Sequence, residues 1–503
     1  MDHIIGIDMG TTHVKSVVAT TAGRVLVEIK EGYPTVNPFP GHQEQAAVDI
    51  FQAVLKVLKQ AIDTIDDKKT IACISFSAAM HSLMAVNKAG QPLTALMTWA
   101  DTRSNKYALE IRNTLQGDII YQRTGTPIHP MSPLCKVKWI REEIPAVFEV
   151  AYKFISAKEY VFHHLFGEFV IDYSIASATG LFDIHQLQWC DESLKFAGIS
   201  TEQLSEPVPS TQTFTNLKED YRLQLGLPGN IPFLMGASDG FMANIGTGAV
   251  LPGELALTIG TSGAVRKIGD HPVTDQKQRL FNYRLDEKTY LSGGAINNGG
   301  IILKWLMDVF LDSDVSEDEK MEEIMEKAAT VPAGSNGLIF LPYVYGERAP
   351  VWDAAAKGVF VGISPVHTKA HFIRAVLEGI SFSLLQIVKA IEETGETVDT
   401  IYANGGFIQS RLWLRIMTDI LNKKICVCYA GDASAMGAIF MAMRFLGYIK
   451  EWKDVKILVS TDEAFDPDQE LHQCYLENYD IYEHLYEKLK DDFKKIDTLQ
   501  AKN

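Results

Sequence analysis

Ile4-Ile5-Gly6-Ile7-Asp8-Met9-Gly10-Thr11-Thr12-His13-Val14-Lys15 reads as a β-hairpin whose bend can meet an anion. Residues 4–8 are apolar and mostly β-branched, Gly10-Thr11-Thr12 turns the chain, and Val14–Ala19 is the return strand. Backbone amides in so tight a bend form an anion-binding concavity, the two hydroxyls add donors, and Lys15 adds a point charge. Phosphate fits this pattern; so does a plain hairpin with a capping Asp. Where phosphate is held, Asp8 at the strand end helps to hold Mg²⁺ through water, because Mg²⁺ keeps several waters and takes few carboxylates.

Outward from this hairpin come a strand over Val25–Ile29, an amphipathic helix over Ala46–Ile65 and a strand over Ile71–Phe76. The helix presents Val48, Phe51, Val54, Leu55 and Leu58 as its apolar stripe. The bend returns as Gly260-Thr261-Ser262, between β runs Glu254–Ile259 and Ala264–Ile268; 260 − 10 = 250, half of the 503 residues, which predicts a duplication. A helix over Lys369–Glu393, a strand over Thr400–Ala403, a Gly405-Gly406 turn, a helix over Ser410–Leu421, a strand over Lys424–Cys428 and a helix over Ala433–Phe445 complete an α/β pattern. Residues 130–235 are mixed and turn-rich, and Glu487–Lys495 reads as a solvated helix face. The expected division is 1–236, 237–450 and a helical tail over 451–503.

The length demands more than one core. An apolar fraction of 47% with 22% charged residues belongs to a globular chain, not a disordered one. Forty-seven Lys and Arg against 63 Asp and Glu give −16, which argues against nucleic-acid and anionic-membrane partners. Cysteines 73, 135, 190, 426, 428 and 474 form no Cys-x-x-Cys pair, so reduced thiols are expected. With no run of about twenty apolar residues and no basic leader before the first strand, the expected setting is cytoplasmic.

No Gly-Lys dipeptide occurs, which excludes the P-loop, and no His-Arg-Asp loop occurs either. Gly236-Ala237-Ser238-Asp239-Gly240 matches a nucleophile elbow centred on Ser238, but also places Asp239 at a strand end as a general base, or as an ordinary turn residue. Met80-His81 and Trp99-Ala100-Asp101-Thr102-Arg103 together offer an aromatic face, a carboxylate, an imidazole and a cation, a set suited to a polyhydroxylated ligand. Taken singly, His81 and Trp99 could be packing residues and Asp101 a helix cap. His163-His164 lacks a partner at metal-ligand spacing and reads as helix surface.

Met131-Ser132-Pro133-Leu134-Cys135-Lys136-Val137-Lys138-Trp139-Ile140-Arg141-Glu142-Glu143, and the segment from Gly358-Val359-Phe360-Val361-Gly362-Ile363 through His371 and Ala375 to Glu378, resemble two signatures of the FGGY carbohydrate kinases. That family lies within the actin/hexokinase/Hsp70 ATPase superfamily, and the match extends over about residues 3–445. The resemblance implies two actin-like, ribonuclease H-like domains with a cleft between them, and ATP and Mg²⁺ as cofactors. It implies that Gly10, Thr11, Thr12 and Lys15 form the first phosphate loop, and Gly260-Thr261 the second. Gly300 and Gly406 then line the adenine and ribose side, with Lys304, Gly405 and Ser410 also at the nucleotide. Asp239 is the implied base and, with Asp8, faces the metal; Met80, His81, Trp99, Asp101, Arg103 and Met131 face the sugar.

Within the family, Gly346-Glu347-Arg348-Ala349-Pro350 and Ala295-Ile296-Asn297-Asn298-Gly299-Gly300 look most like the gluconate branch, which implies 6-phosphogluconate as product. Xylulose is the alternative acceptor, since that branch shares the Met-His pair. Met80-His81 stands where the glycerol branch carries Arg-Glu, which counts against glycerol. A sugar acid needs a cation: Arg103 is the first candidate and Arg348 the second, each otherwise a structural ion pair. The implied partner is a small sugar or sugar acid, and oligomeric state is left open, with a homodimer among the assemblies allowed.

Overall fold

The computed structural model describes residues 2–273, 275–310, 316–428, 431–461 and 463–500. The hairpin is β1 (His3–Met9) and β2 (His13–Thr20), antiparallel, with Asp8 opposite Lys15. β3 (Val25–Gly32) extends the meander. α1 (Ala47–Asp63) returns the chain to β4 (Ile71–Ala78), parallel to β1, and after a long excursion β5 (Phe233–Ser238) adds parallel to β4. The sheet order is β5-β4-β1-β2-β3, with Thr213–Phe214 outside β5.

α1 corrects one expectation. Phe51, Val54, Leu55 and Leu58 are buried, but Val48 is 50% exposed, and Ala47, Ile50, Val57, Ala61 and Ile62 are inward instead. The helix packs on β2 and β3 and also against the helices at Ala157–Phe166 and Glu219–Leu225. Covered from two sides, it buries a wider arc than a single stripe, and one that is rotated from it.

α2 (Asp239–Gly246) leads into the second half. β6 (Glu254–Ile259), β7 (Gly263–Gly269) and β8 (Tyr290–Ile296) form an antiparallel meander. α3 (Gly300–Phe310), α4 (Glu317–Ala329) and α5 (Lys369–Glu393) precede β9 (Thr400–Asn404), parallel to β6. α6 (Arg411–Leu421), β10 (Lys424–Val427, parallel to β9) and α7 (Ala433–Phe445) follow. The order β8-β7-β6-β9-β10 repeats that of the first sheet, so the echo of the glycine bend is an architectural duplication.

Each sheet has its own apolar core, and a third cluster lies between them around α2 and α7. These helices meet backbone to backbone: a Cβ on Gly437 would stand 1.9 Å from the Met242 carbonyl oxygen, and one on Gly246 1.9 Å from that of Ala433. α5 is the one helix among the described residues long and apolar enough to cross a membrane, and 83% of its apolar window is buried inside the molecule. α8 (Gln469–Gln500) sends Tyr475, Tyr479, Tyr482, Leu485 and Phe493 into the second core, while the rest of Glu487–Lys495 is largely solvated. Among the cysteines, Cys73, Cys135, Cys190, Cys426 and Cys474 are unpaired thiols.

Candidate active site in the interdomain cleft

The duplicated strand-to-helix junctions bring two carboxylates together. Asp239 begins α2, one residue after its N-cap Ser238, and Asp432 is the N-cap of α7. The positive end of a helix favours a carboxylate at both stations. Asp432 accepts the Ala435 amide (2.9 Å) on Oδ1 and Lys15 Nζ (2.5 Å) on Oδ2, so it caps its helix and clasps the opposite half. Among the described residues the Asp239 carboxylate accepts one hydrogen bond, from the amide of Gly240, 2.6 Å from Oδ1, while its backbone carbonyl accepts from Ser434 Oγ (3.3 Å). Burial raises the Asp239 carboxyl above its ordinary value, against the pull of Arg266 and Arg348.

Asp8, at the end of β1, accepts from Ser77 Oγ (2.7 Å). Its carboxyl is pushed up to about 8, chiefly by burial and then by Asp432 and Asp239. Burial works against the charge on Lys15, yet Asp432 and Asp8 outweigh it and raise the ammonium pKa. Asp8, Lys15, Thr258, Asn404, Gly405 and Asp432 line one cavity of about 650 Å³. Asp8 and Asp432, with Asp239 close enough to raise the Asp8 carboxyl, suit a hard divalent cation with oxygen ligands, which fits Mg²⁺.

The second bend opens on a larger cavity, about 760 Å³, lined by Gly260, Thr261, Gly300, Lys304, Gly406 and Ser410. Ile301, Leu303, Met321, Met325 and Leu412 make much of its remaining wall apolar, as a flat aromatic base requires. Two glycines let the chain pass close to the bend. The Gly300 amide donates to Gly260 O (2.8 Å), where a Cβ would come within 2.6 Å of the same oxygen. Gly405 has φ 105°, and a Cβ there would lie 2.4 Å from Ile259 O. Lys304 pairs with Glu317 (3.3 Å) in an exposed setting, and Ser410 caps α6 by accepting the Trp413 amide (3.2 Å).

The first bend is tied more tightly. Trp99 Nε1 donates to Thr11 Oγ1 (3.0 Å), Gln45 Nε2 to Thr11 O (2.5 Å), and the Tyr33 hydroxyl to Gly10 O. Thr12 is exposed, with Oγ1 2.9 Å from His13 Nδ1. Gly10, Thr11, Met80 and Trp99 share a small cavity of about 20 Å³. His81 adopts φ 67°, donates from Nδ1 to Ala178 O (2.7 Å) and turns Nε2 toward Tyr283 Oη (3.4 Å). Burial, followed by Lys136, lowers its pKa to about 3, so the ring is neutral.

Asp101 and Arg103 are placed otherwise than expected. Asp101 is fully buried and receives Arg103 Nε and Nη2 (2.7–3.0 Å) as well as the Gln43 amide (2.8 Å), while Arg103 also holds Glu44 (2.6 Å) and lies over the Trp139 ring (5.1 Å). The pair satisfies itself and anchors the loop after Trp99, which removes Arg103 as first candidate for a substrate carboxylate. Met131 packs in the second core, 1% exposed, with its amide on His129 Nδ1 (3.2 Å). Arg348 stacks on Trp99 (4.5 Å) and donates to Asn297 Oδ1 (2.8 Å) and Ile296 O (2.9 Å). Ser238 is buried, caps α2 and bonds Ser174 Oγ (2.6 Å), which is not the exposed hydroxyl of a nucleophile elbow.

Three residues escaped the sequence reading. Asp432 stands at the same junction as Asp239 one repeat later, a signal the duplication contained. Lys136, fully buried within the first signature, donates to His81 O (2.7 Å) and Thr98 O (2.6 Å) and so ties together the segments that carry Met80-His81 and Trp99. Arg266 interrupts the apolar strand β7 beside Asp239.

Residues 3–246 match the N-terminal domain, and 255–446 the C-terminal domain, of the FGGY family of carbohydrate kinases. A gluconokinase of Bacillus subtilis (strain 168) is 39% identical over 500 residues, 98% of this chain and 97% of that protein. Two crystal structures from Lactobacillus acidophilus, a ligand-bound xylulose kinase and a gluconate kinase, each superpose with a TM-score of 0.93 at 34% identity. They cover 99% and 98% of this chain, and the alignments span 100% and 99% of those chains. Matched through both halves and along nearly its full length, the chain belongs to the FGGY family and is a carbohydrate kinase.

Proposed function

We propose that the protein transfers the γ-phosphoryl group of ATP to the 6-hydroxyl of D-gluconate, giving 6-phosphogluconate and ADP. The observation that carries this reading is Asp239. Its carboxylate sits at a helix start with one oxygen free of hydrogen-bond partners among the described residues, between the Asp8–Lys15–Asp432 cavity and the Arg266–Arg348 side. The gluconokinase relative supports gluconate as the acceptor.

The second half holds mainly the nucleotide, with its base in the apolar cavity behind Gly260-Thr261, and the first half mainly the acceptor. Asp239 orients the acceptor hydroxyl and takes its proton as the new O–P bond forms; the bond from γ-phosphorus to the bridging oxygen breaks and its electron pair leaves on ADP. The bend amides and Lys15 disperse charge on the transferring group, and closure of the cleft keeps water from competing. Asp8, Asp239 and Asp432 are the residues that would hold Mg²⁺, which would supply charge neutralisation on the phosphates. The unpaired thiols and the ATP requirement support the cytoplasmic setting.

Xylulose is the second reading, favoured by the L. acidophilus xylulose kinase at the same TM-score. A coupled ADP-release assay with D-gluconate, D-xylulose, glycerol and D-ribulose decides. Gluconate is expected to have the highest kcat/KM, and a higher value for xylulose replaces the proposal.

A further inference from the structure

Arg266 is the least explained charge in the molecule. It projects from the middle of β7, opposite Ala256 on one side and Gly293 on the other. Its Nε and Nη1 are buried without a hydrogen-bond partner among the described residues. Leaving guanidinium donors buried and unmatched is costly, so such a group persists where a ligand completes it. Burial lowers the Arg266 pKa while Asp239 and Tyr283 raise it.

The location separates two kinds of anion. Arg266 feels Asp239 and Tyr283, and Tyr283 reaches His81. Gly240 leaves room for it: a Cβ there would stand 3.0 Å from Arg266 Nε and 3.3 Å from Met80 Cε, so the guanidinium shares its space with a sugar-side residue. Arg348, the other nearby cation, already donates to Asn297 and Ile296.

We infer that Arg266 binds the carboxylate of the acceptor and is the specificity-determining cation of this kinase. The inference rests on the reading of the acceptor as a sugar acid. A planar carboxylate can take paired donors from a guanidinium, and a neutral ketose offers no charge to match it.

The test measures D-gluconate and ATP binding by calorimetry, gluconate turnover and thermal unfolding, for the wild type, Arg266→Met and Arg266→Lys. Gluconate affinity is expected to fall about 100-fold in Arg266→Met and about 10-fold in Arg266→Lys, with ATP affinity within about threefold of wild type. Removing an unmatched buried charge should leave Arg266→Met at least as stable as the wild type, an outcome a structural arginine would not give. Unchanged gluconate binding, or equal loss of gluconate and ATP binding, overturns the role of Arg266 while the proposed reaction stands. A wild-type protein that neither binds nor phosphorylates gluconate overturns both.

Discussion

The two halves share one topology and diverge at equivalent stations. Adding 250 to the first bend's residues, Asp8 corresponds to Thr258 and Lys15 to Val265. Thr258 turns a hydroxyl without a hydrogen-bond partner toward the same cavity as Asp8, and Val265 is fully buried core. Charge is therefore concentrated on the first bend, while the second opens on the larger cavity walled by Ile301, Leu303, Met321, Met325 and Leu412. The helix starts diverge likewise: Asp432 uses both oxygens on a cap and a lysine, and Asp239 keeps one without a hydrogen-bond partner among the described residues. A duplicated scaffold supplies two carboxylates, and the number of partners each has taken is the ground on which Asp239 rather than Asp432 is proposed as the base.

The largest effect should come from the free carboxylate. Asp239→Asn is expected to lower kcat about 1,000-fold with ATP still bound, read by the coupled assay and calorimetry; a loss below tenfold would break the distinction between the helix starts. Converting the first bend toward the second with Lys15→Val should cost about 100-fold in kcat/KM for ATP, and a neutral result would show the bends to be interchangeable.

Asp432→Asn keeps a capping side chain but loses the charge that pairs with Lys15, so KM for ATP should rise about tenfold. The same variant sharpens the comparison through pH. Asp239 acts as the carboxylate, so activity falls as pH drops through its raised pKa, and Asp432 contributes to that elevation. Removing Asp432's charge should therefore move the acid limb of kcat to lower pH; a move to higher pH would mean that the two aspartates do not sense each other. Lys304→Ala, on the exposed rim of the second cavity and paired with Glu317, should change KM for ATP less than about threefold.

The sequence disclosed what is local or periodic. Alternating strands, glycine bends and the 250-residue echo specify the doubled sheet because each is written within a few neighbouring residues. What it withheld depends on distant partners. Arg103 and Asp101 offered the right groups for a sugar acid, but only the fold shows them bonded to each other and to Glu44. Arg266 lies in a strand recognised by its apolar neighbours, so the same pattern that located β7 concealed its one unmatched charge. Lys136 has no local peculiarity at all; its meaning lies in two carbonyls, 55 and 38 residues away. Val48 failed for the complementary reason, since a periodicity argument assumes one covering layer and α1 has two.

The glycine contacts between α2 and α7 have a mechanical corollary. With Gly437 against Met242 and Gly246 against Ala433, no side chain separates the helices to act as a lubricant, so sliding would drive backbone into backbone. Rocking is the freedom that remains. The crossing is therefore placed to serve as a fulcrum, about which a few degrees of tilt would be amplified with distance into each half.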